Sequence, residues 1–297
     1  MARTDWGLQD SAGGRSFGLT WIGFVLSAAL LLTGCETSFE AFEASDQPFS
    51  LYGYLDSAAD TQFIRVSPLR DSLFARAAPL DVTLTLEHVA SGRTSVWRDS
   101  LFRFRGGGLA HNFWSQEPIE PSGIYRMTIS RPDGAGSTAL VQLPPDFPTP
   151  TISVLPFAPD IYITTIGVER LAEIRMTYHL RDVRTGVRTT FPRSFLDRLR
   201  PFSEANVEGW SLQFIPDEVL ADVQTLRGPD LEVLSIDLFI AAAGPDWPDL
   251  EGIDLETLAL PETVKNVEGG VGYVGGIVSK GTWIYRQDCG WRWQCRP

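Results

Sequence analysis

The sequence predicts a mainly β protein: an N-terminal Ig-like antiparallel β-sandwich, then a second β-rich domain carrying short helices. Three observations lead there. Apolar residues recur with period two from Phe49 onward, turn signals punctuate the runs, and a proline-rich stretch at 143–150 divides the chain.

Residues 1–34 read as a lipoprotein signal. Arg15 precedes an uncharged apolar run from Trp21 to Leu32, and Leu32-Thr33-Gly34-Cys35 closes it with a small residue before a cysteine. The Cys35 sulfur is the acylation point, and each buried CH2 of an acyl chain stabilises membrane residence by roughly 0.8 kcal/mol. The alternative is an uncleaved transmembrane anchor, since Phe17 to Gly34 lacks charge. A span needs about 20 predominantly apolar residues, and this run contains Gly, Ser and Thr. The mature chain is therefore expected to begin at Cys35, with residues 35–47, rich in acidic and small polar side chains, as a tether.

In the expected sandwich, residues 48–143, Phe63-Ile64-Arg65-Val66, Val82-Thr83-Leu84-Thr85-Leu86 and Ile124-Tyr125-Arg126-Met127-Thr128-Ile129 alternate as half-buried strands. Ala90-Ser91-Gly92 and Arg131-Pro132-Asp133-Gly134 supply turns. Roughly seven such strands make a small sandwich. Gly106-Gly107-Gly108 lacks the Gly-Lys-Ser/Thr and the helix of a phosphate loop, so it reads as a connection.

Residues 144–151 are the expected linker; four prolines in the eight residues 143–150 cannot join a central strand or a helix interior. In the second domain, 152–288, Glu173 to Leu180 alternates as a strand ending near a hairpin turn at Arg184-Thr185-Gly186. Pro192 to Leu199 and Pro216 to Leu226 carry helical spacing, Leu231 to Asp237 a strand, and Gly270 to Ile277 with Thr282 to Tyr285 a terminal strand pair. A Trp- and Cys-containing tail, 289–297, ends the chain.

Acylating Cys35 leaves Cys289 and Cys295 as an even pair. In an oxidising compartment they read as a disulfide, with free thiols the alternative; zinc is disfavoured because no histidine lies near them in sequence. The formal charge of −12 argues against nucleic acid, whose binders need a basic face.

Gly270-Val271-Gly272-Tyr273-Val274-Gly275 matches G-x-G-x-x-G by letter, but only 22 residues follow Gly275, too few for the rest of a βαβ unit. The expected role is structural: glycines that permit positive φ or close backbone approach. Asp246, Asp249, Glu251, Asp254 and Glu256 lack the ligand spacing of a helix-loop-helix calcium site and read as a solvated loop. His88, expected to end a strand, His111, expected in a loop, and His179, in a strand, have no sequence neighbours that mark them as bases. No catalytic residue, metal site or cofactor is expected.

Asn266-Val267-Glu268-Gly269-Gly270-Val271-Gly272-Tyr273-Val274-Gly275-Gly276, after Leu231 to Asp237, resembles a domain-of-unknown-function family of Bacteroidota-type outer-membrane lipoproteins. Those chains also begin with a lipobox cysteine and end with an N-x-E-G-G-x-G-aromatic stretch before a final strand. This sequence departs in Val274, where a second aromatic is common, and in its tail. The resemblance implies that Asn266, Glu268, Gly269, Gly270, Gly272 and Gly275 form a family motif. It also implies an outer-membrane lipoprotein, often associated with TonB-dependent transport, and it carries over no catalytic residue.

Two functions follow as expectations. The first is a non-enzymatic envelope module, held in the bilayer by Cys35, that binds a ligand, an outer-membrane transporter or another envelope protein. The alternative is a hydrolase acting on an imported or cell-wall polymer.

Overall fold

Alternation becomes strand wherever one face of the chain finds a core. The computed structural model describes residues 47–69, 80–103, 109–154, 160–204, 207–248, 263–286 and 293–296, all within one compact unit, Ser45–Pro297. Before the proline-rich stretch run β1 (Phe49–Asp56), β2 (Gln62–Pro68), β3 (Thr83–His88), β4 (Arg93–Val96), β5 (Arg98–Arg103), β6 (Leu109–Ser115), β7 (Ile124–Ser130) and β8 (Gly136–Gln142). After it come β9 (Thr151–Val154), β10 (Ile161–Ile166), β11 (Leu171–Asp182), β12 (Arg188–Ser194), β13 (Arg200–Glu204), β14 (Val207–Phe214), helix α1 (Pro216–Arg227), β15 (Leu231–Ala243), β16 (Val267–Glu268), β17 (Val271–Arg286) and β18 (Trp293–Arg296).

The main sheet has nine strands, in the order β12-β11-β15-β17-β1-β2-β6-β5, with β18 also on β17. A five-stranded sheet, β16-β8-β7-β3-β4, and a four-stranded sheet, β13-β14-β10-β9, complete the fold. The mainly β, sandwich-type architecture is the one expected. The pairing is antiparallel except where β1 runs parallel to β17, from Ser50–Val271 to Asp56–Ile277.

Two cores lie on the main sheet. One joins Leu51, Ile64, Val66 and Phe113 of that sheet to Leu84, Leu86, Met127 and Ile129 of the five-stranded sheet. The other joins Met176, Tyr178, Leu238 and Ile240 to Ile163 and Leu212 of the four-stranded sheet and to Val219 and Val223 of α1. Val274, in the first core, and Val278 and Ile284, in the second, fall at even spacing on one face of β17. Although the cores fall largely on either side of the proline-rich stretch, the sheet does not: it takes β1, β2, β5 and β6 from before it and β11, β12, β15 and β17 from after it. Residues 48–143 supply four strands to each of the two sheets around the first core, yet the main sheet runs on past them. The physical reason is the length of β17, whose first half pairs with β1 and whose second half pairs with β15, from Ala243–Ile277 to Ser235–Tyr285.

The proline-rich stretch is irregular, as its prolines require, yet it is clamped to β17: Lys280 Nζ lies 2.7 Å from Asp146 Oδ1 and 5.9 Å from the ring of Phe147, which is buried. That ion pair holds the Asp146 carboxyl below its ordinary range.

Three local expectations are corrected. Pro192 to Leu199 is not a helix: Pro192 lies in β12, on the sheet edge where its missing N–H leaves no ladder bond unmade, and only a 3-10 turn, Leu196–Arg198, follows. Gly270 to Ile277 and Thr282 to Tyr285 are not a pair: from Val271 onward both belong to β17, one strand of 16 residues. His111 is not in a loop but in β6, and it is buried. The helix at Pro216 does form: proline at its start, Asp217 and Glu218 in the first turn and Arg227 in the last suit its dipole.

Candidate ligand-binding face

The glycine motif sits where the chain passes between sheets. Val267 and Glu268 pair with Ala139 and Thr138 in the five-stranded sheet, and four residues on, Val271 pairs with Ser50 in the nine-stranded one. Asn266 fastens the crossing. Its Nδ2 donates to Val274 O (2.8 Å), its Oδ1 accepts from Val274 N (2.9 Å), and its own N donates to Gly272 O (3.2 Å).

Gly272 has φ +109°, and a Cβ there would stand 2.2 Å from Leu51 O on the parallel neighbour, so both conformation and space require glycine. Gly269 also has positive φ, and a Cβ on Gly270 would meet Ser137 Oγ at 2.6 Å and Phe49 O at 2.7 Å. The Glu268 side chain points to solvent. After Gly275 the chain continues as strand to Arg286, with no helix N-terminus to receive a phosphate.

Gly275 has a different neighbour. A Cβ there would fall 2.6 Å from Trp247 Cζ3, so the indole lies directly on the strand. Trp247 also meets Tyr273 edge-on, ring centroids 5.9 Å apart. Its segment is held from both sides: Arg170 Nη1 donates to Trp247 O (2.6 Å) and Pro245 O (3.2 Å), and the Tyr273 hydroxyl donates to Asp246 O (3.1 Å). Burial, then the nearby Asp246 carboxylate, push the Tyr273 phenol well above its ordinary value, so it stays a donor.

Gly275 pairs with Tyr54, Tyr54 with Phe63, Phe63 with Trp114 and Trp114 with Arg98. Paired residues share a sheet face, so Trp247, Tyr54, Phe63 and Trp114 form one aromatic row across the outer face of the nine-stranded sheet. Tyr54 is 50% exposed and Phe63 53%. The Arg98 guanidinium covers Trp114, 5.2 Å from its ring centroid. A parallel row two residues along the strands holds Tyr273, Tyr52, Arg65, Asn112 and Ser100. At the Trp247 end, a cleft of about 290 Å³ opens between Tyr54, Trp247, Phe239 and Ile277, with Glu173 and Ser194 on its wall.

The row is anchored where β1 ends. The buried Asp56 carboxylate accepts from Ser279 Oγ (2.6 Å), Ser279 N (3.2 Å) and Ala58 N (3.0 Å), and Gln62 bonds the Asp56 backbone on both sides, N to Oε1 at 2.9 Å and Nε2 to O at 2.7 Å.

Two histidines have carboxylate partners that sequence proximity did not reveal. His111 Nδ1 lies 2.8 Å from Asp99 Oδ2 across β5 and β6, and His179 Nε2 lies 2.8 Å from Asp237 Oδ2 across β11 and β15. His179 also stacks on Trp283 and borders an open hollow of about 620 Å³ with Arg188, Thr190 and Ser235. Among the described residues, no serine or threonine hydroxyl bonds to His179. His88 Nδ1 is 2.7 Å from Ser91 Oγ in an exposed turn.

Cys35, Cys289, the Gly106 triplet, Asp249, Glu251, Asp254 and Glu256 lie outside the described residues. Cys295 stands opposite Ile284 where β18 pairs with β17. Among the described residues no group of three or more His, Cys, Asp or Glu is arranged to hold a metal ion, and no helix is long and apolar enough to cross a membrane.

No protein-family profile matches this chain, and no curated protein matches it. Among solved structures, it is similar to a pullulanase from Anoxybacillus sp. LM18-11, at TM-score 0.23 and 11% identity over 65% of this chain. A complex of that pullulanase with maltotriose gives TM-score 0.22 and 10% identity over 66%. The matched part spans 24% of the pullulanase chain in each case.

Proposed function

We propose that this chain is a membrane-anchored envelope lipoprotein, acylated at Cys35, and a non-enzymatic binding module whose ligand lies on the outer face of the nine-stranded sheet. The observation that carries the binding face is the in-register exposure of Tyr54 and Phe63 beside Trp114. Large aromatics cost free energy in water, and a continuous exposed group of them marks a recognition surface. The outer-membrane address and the link to TonB-dependent transport rest on the lipobox and the N-x-E-G-G-x-G resemblance, and a Cys289–Cys295 bridge belongs to the same export reading.

The test is covalent footprinting of the full lipidated chain in its native membrane. Carbene labelling of Tyr54, Phe63 and Trp114 should fall when envelope contents are present, while Leu140, exposed on the five-stranded sheet, stays labelled. Unchanged labelling of all three would remove the binding face.

A hydrolase is the second reading, favoured by one observation: the His179–Asp237 pair beside an open hollow. It requires turnover of a polymer that His179→Ala abolishes without altering the melting temperature.

A further inference from the structure

We infer that the ligand of this face is an extended glycan chain, laid across the strands, with its terminal sugar in the cleft between Trp247 and Phe239. This rests on the reading of the outer face as the binding face and names its ligand class.

A sugar ring has an apolar C–H face and a hydroxylated edge. The sheet offers both partners in parallel rows. Tyr54, Phe63 and Trp114 sit on neighbouring strands about 4.7–4.9 Å apart, and Trp247 covers Gly275 of the next strand, so each aromatic ring meets the next unit of a chain that crosses the sheet. The polar row lies two residues further along, roughly 6.6 Å away, where Tyr52, Asn112 and Ser100 can bond the hydroxyl edges.

Charge agrees with this occupant. The chain carries −12, yet neither row places a carboxylate between Tyr54 and Arg98. Glu173 at the cleft is paired with Arg175, 3.1 Å away, and Arg175 covers Phe239 at 4.7 Å. The path is therefore free of the repulsion that the rest of an acidic protein presents to acidic sugars. A protein partner is the less suited occupant: the centre of a protein interface is a broad apolar patch, whereas here the aromatic row is bordered by hydrogen-bonding groups, among them Tyr52, Asn112 and Ser100.

The experiment titrates the full chain in detergent with cellohexaose, xylohexaose, mannohexaose and a hexagalacturonate, and with the dimer and tetramer of any that binds. At least one hexamer should bind, its affinity should rise with chain length, and Phe63→Ala and Trp114→Ala should each weaken it about tenfold or more. Leu140→Ala should leave it unchanged. Failure of every hexamer, or binding indifferent to both aromatic variants, overturns the glycan. The footprint separates this failure from that of the face itself: protection of Phe63 that survives periodate treatment of the envelope extract and is lost on protease treatment means that the face binds protein. No protection from either means that the face is not a site.

Discussion

The indole of Trp247 rests on Gly275 with no room for a methyl group between them: an added Cβ would stand 2.6 Å from Cζ3. The glycine is thus the floor of the aromatic row, within β17 and beyond the crossing between sheets. Gly275→Val should lift the indole, red-shift Trp247 emission and cost about 1–3 kcal/mol in urea unfolding, the usual range for overpacking. An unshifted emission spectrum with wild-type stability would mean that Trp247 does not lie there.

Asn266 makes a paired bond to Val274, whose side chain is fully buried. Asn266→Ala strands a donor and an acceptor and should lower stability by about 2–3 kcal/mol. Asn266→Asp keeps the acceptor for Val274 N and loses the donor to Val274 O, so it should fall between the two. Gly272→Ala, strained at φ +109° and crowded by Leu51 O, should cost at least as much as Asn266→Ala.

Tyr273 gives the pH test. Its phenol titrates above its ordinary value in the folded chain because it is buried and faces Asp246. The folded state therefore holds that proton more tightly than the unfolded one. The associated stability is fully present below about pH 10, where an unfolded tyrosine titrates, and is lost as pH rises through the folded value. Absorbance at 295 nm should show a late phenolate step that Tyr273→Phe removes. Loss of an earlier step instead would contradict the hydrogen bond to Asp246 O.

Much of this fold was legible in the sequence. Alternation located β3, β7 and β11, proline with acidic residues located the start of α1, and the crowded glycines of 266–276 announced a close backbone approach. The parallel pairing of β1 with β17 was not legible, because Ser50 and Val271 are far apart in sequence and period two does not name a partner. The proposed binding face leaves a signal in the sequence: in β1 both phases of the alternation are apolar, with Leu51 and Leu55 inward and Tyr52 and Tyr54 outward. Aromatics in the phase that should face water mark a surface with a second task. The His179–Asp237 pair could not be read locally, since the two residues meet only through the β11–β15 register.

Cys35 carries the expected anchor. Cys35→Ser should move the chain from the detergent phase to the soluble or precursor fraction. A variant that stays in the detergent phase, differing from wild type only by oxygen for sulfur, would contradict lipidation.

The most direct test of the binding face uses 5-fluorotryptophan in the full chain, with Trp114, Trp247, Trp283 and Trp210 assigned by single substitution. Trp210 is the control, packed against the second core with its Nε1 bonded to Val168 O at 3.0 Å. On titration with the polymer fraction of the native envelope, the 19F resonances of Trp114 and Trp247 should shift together and saturably while Trp210 stays fixed. A shift confined to Trp283, beside His179, or still resonances at both Trp114 and Trp247, would contradict the account.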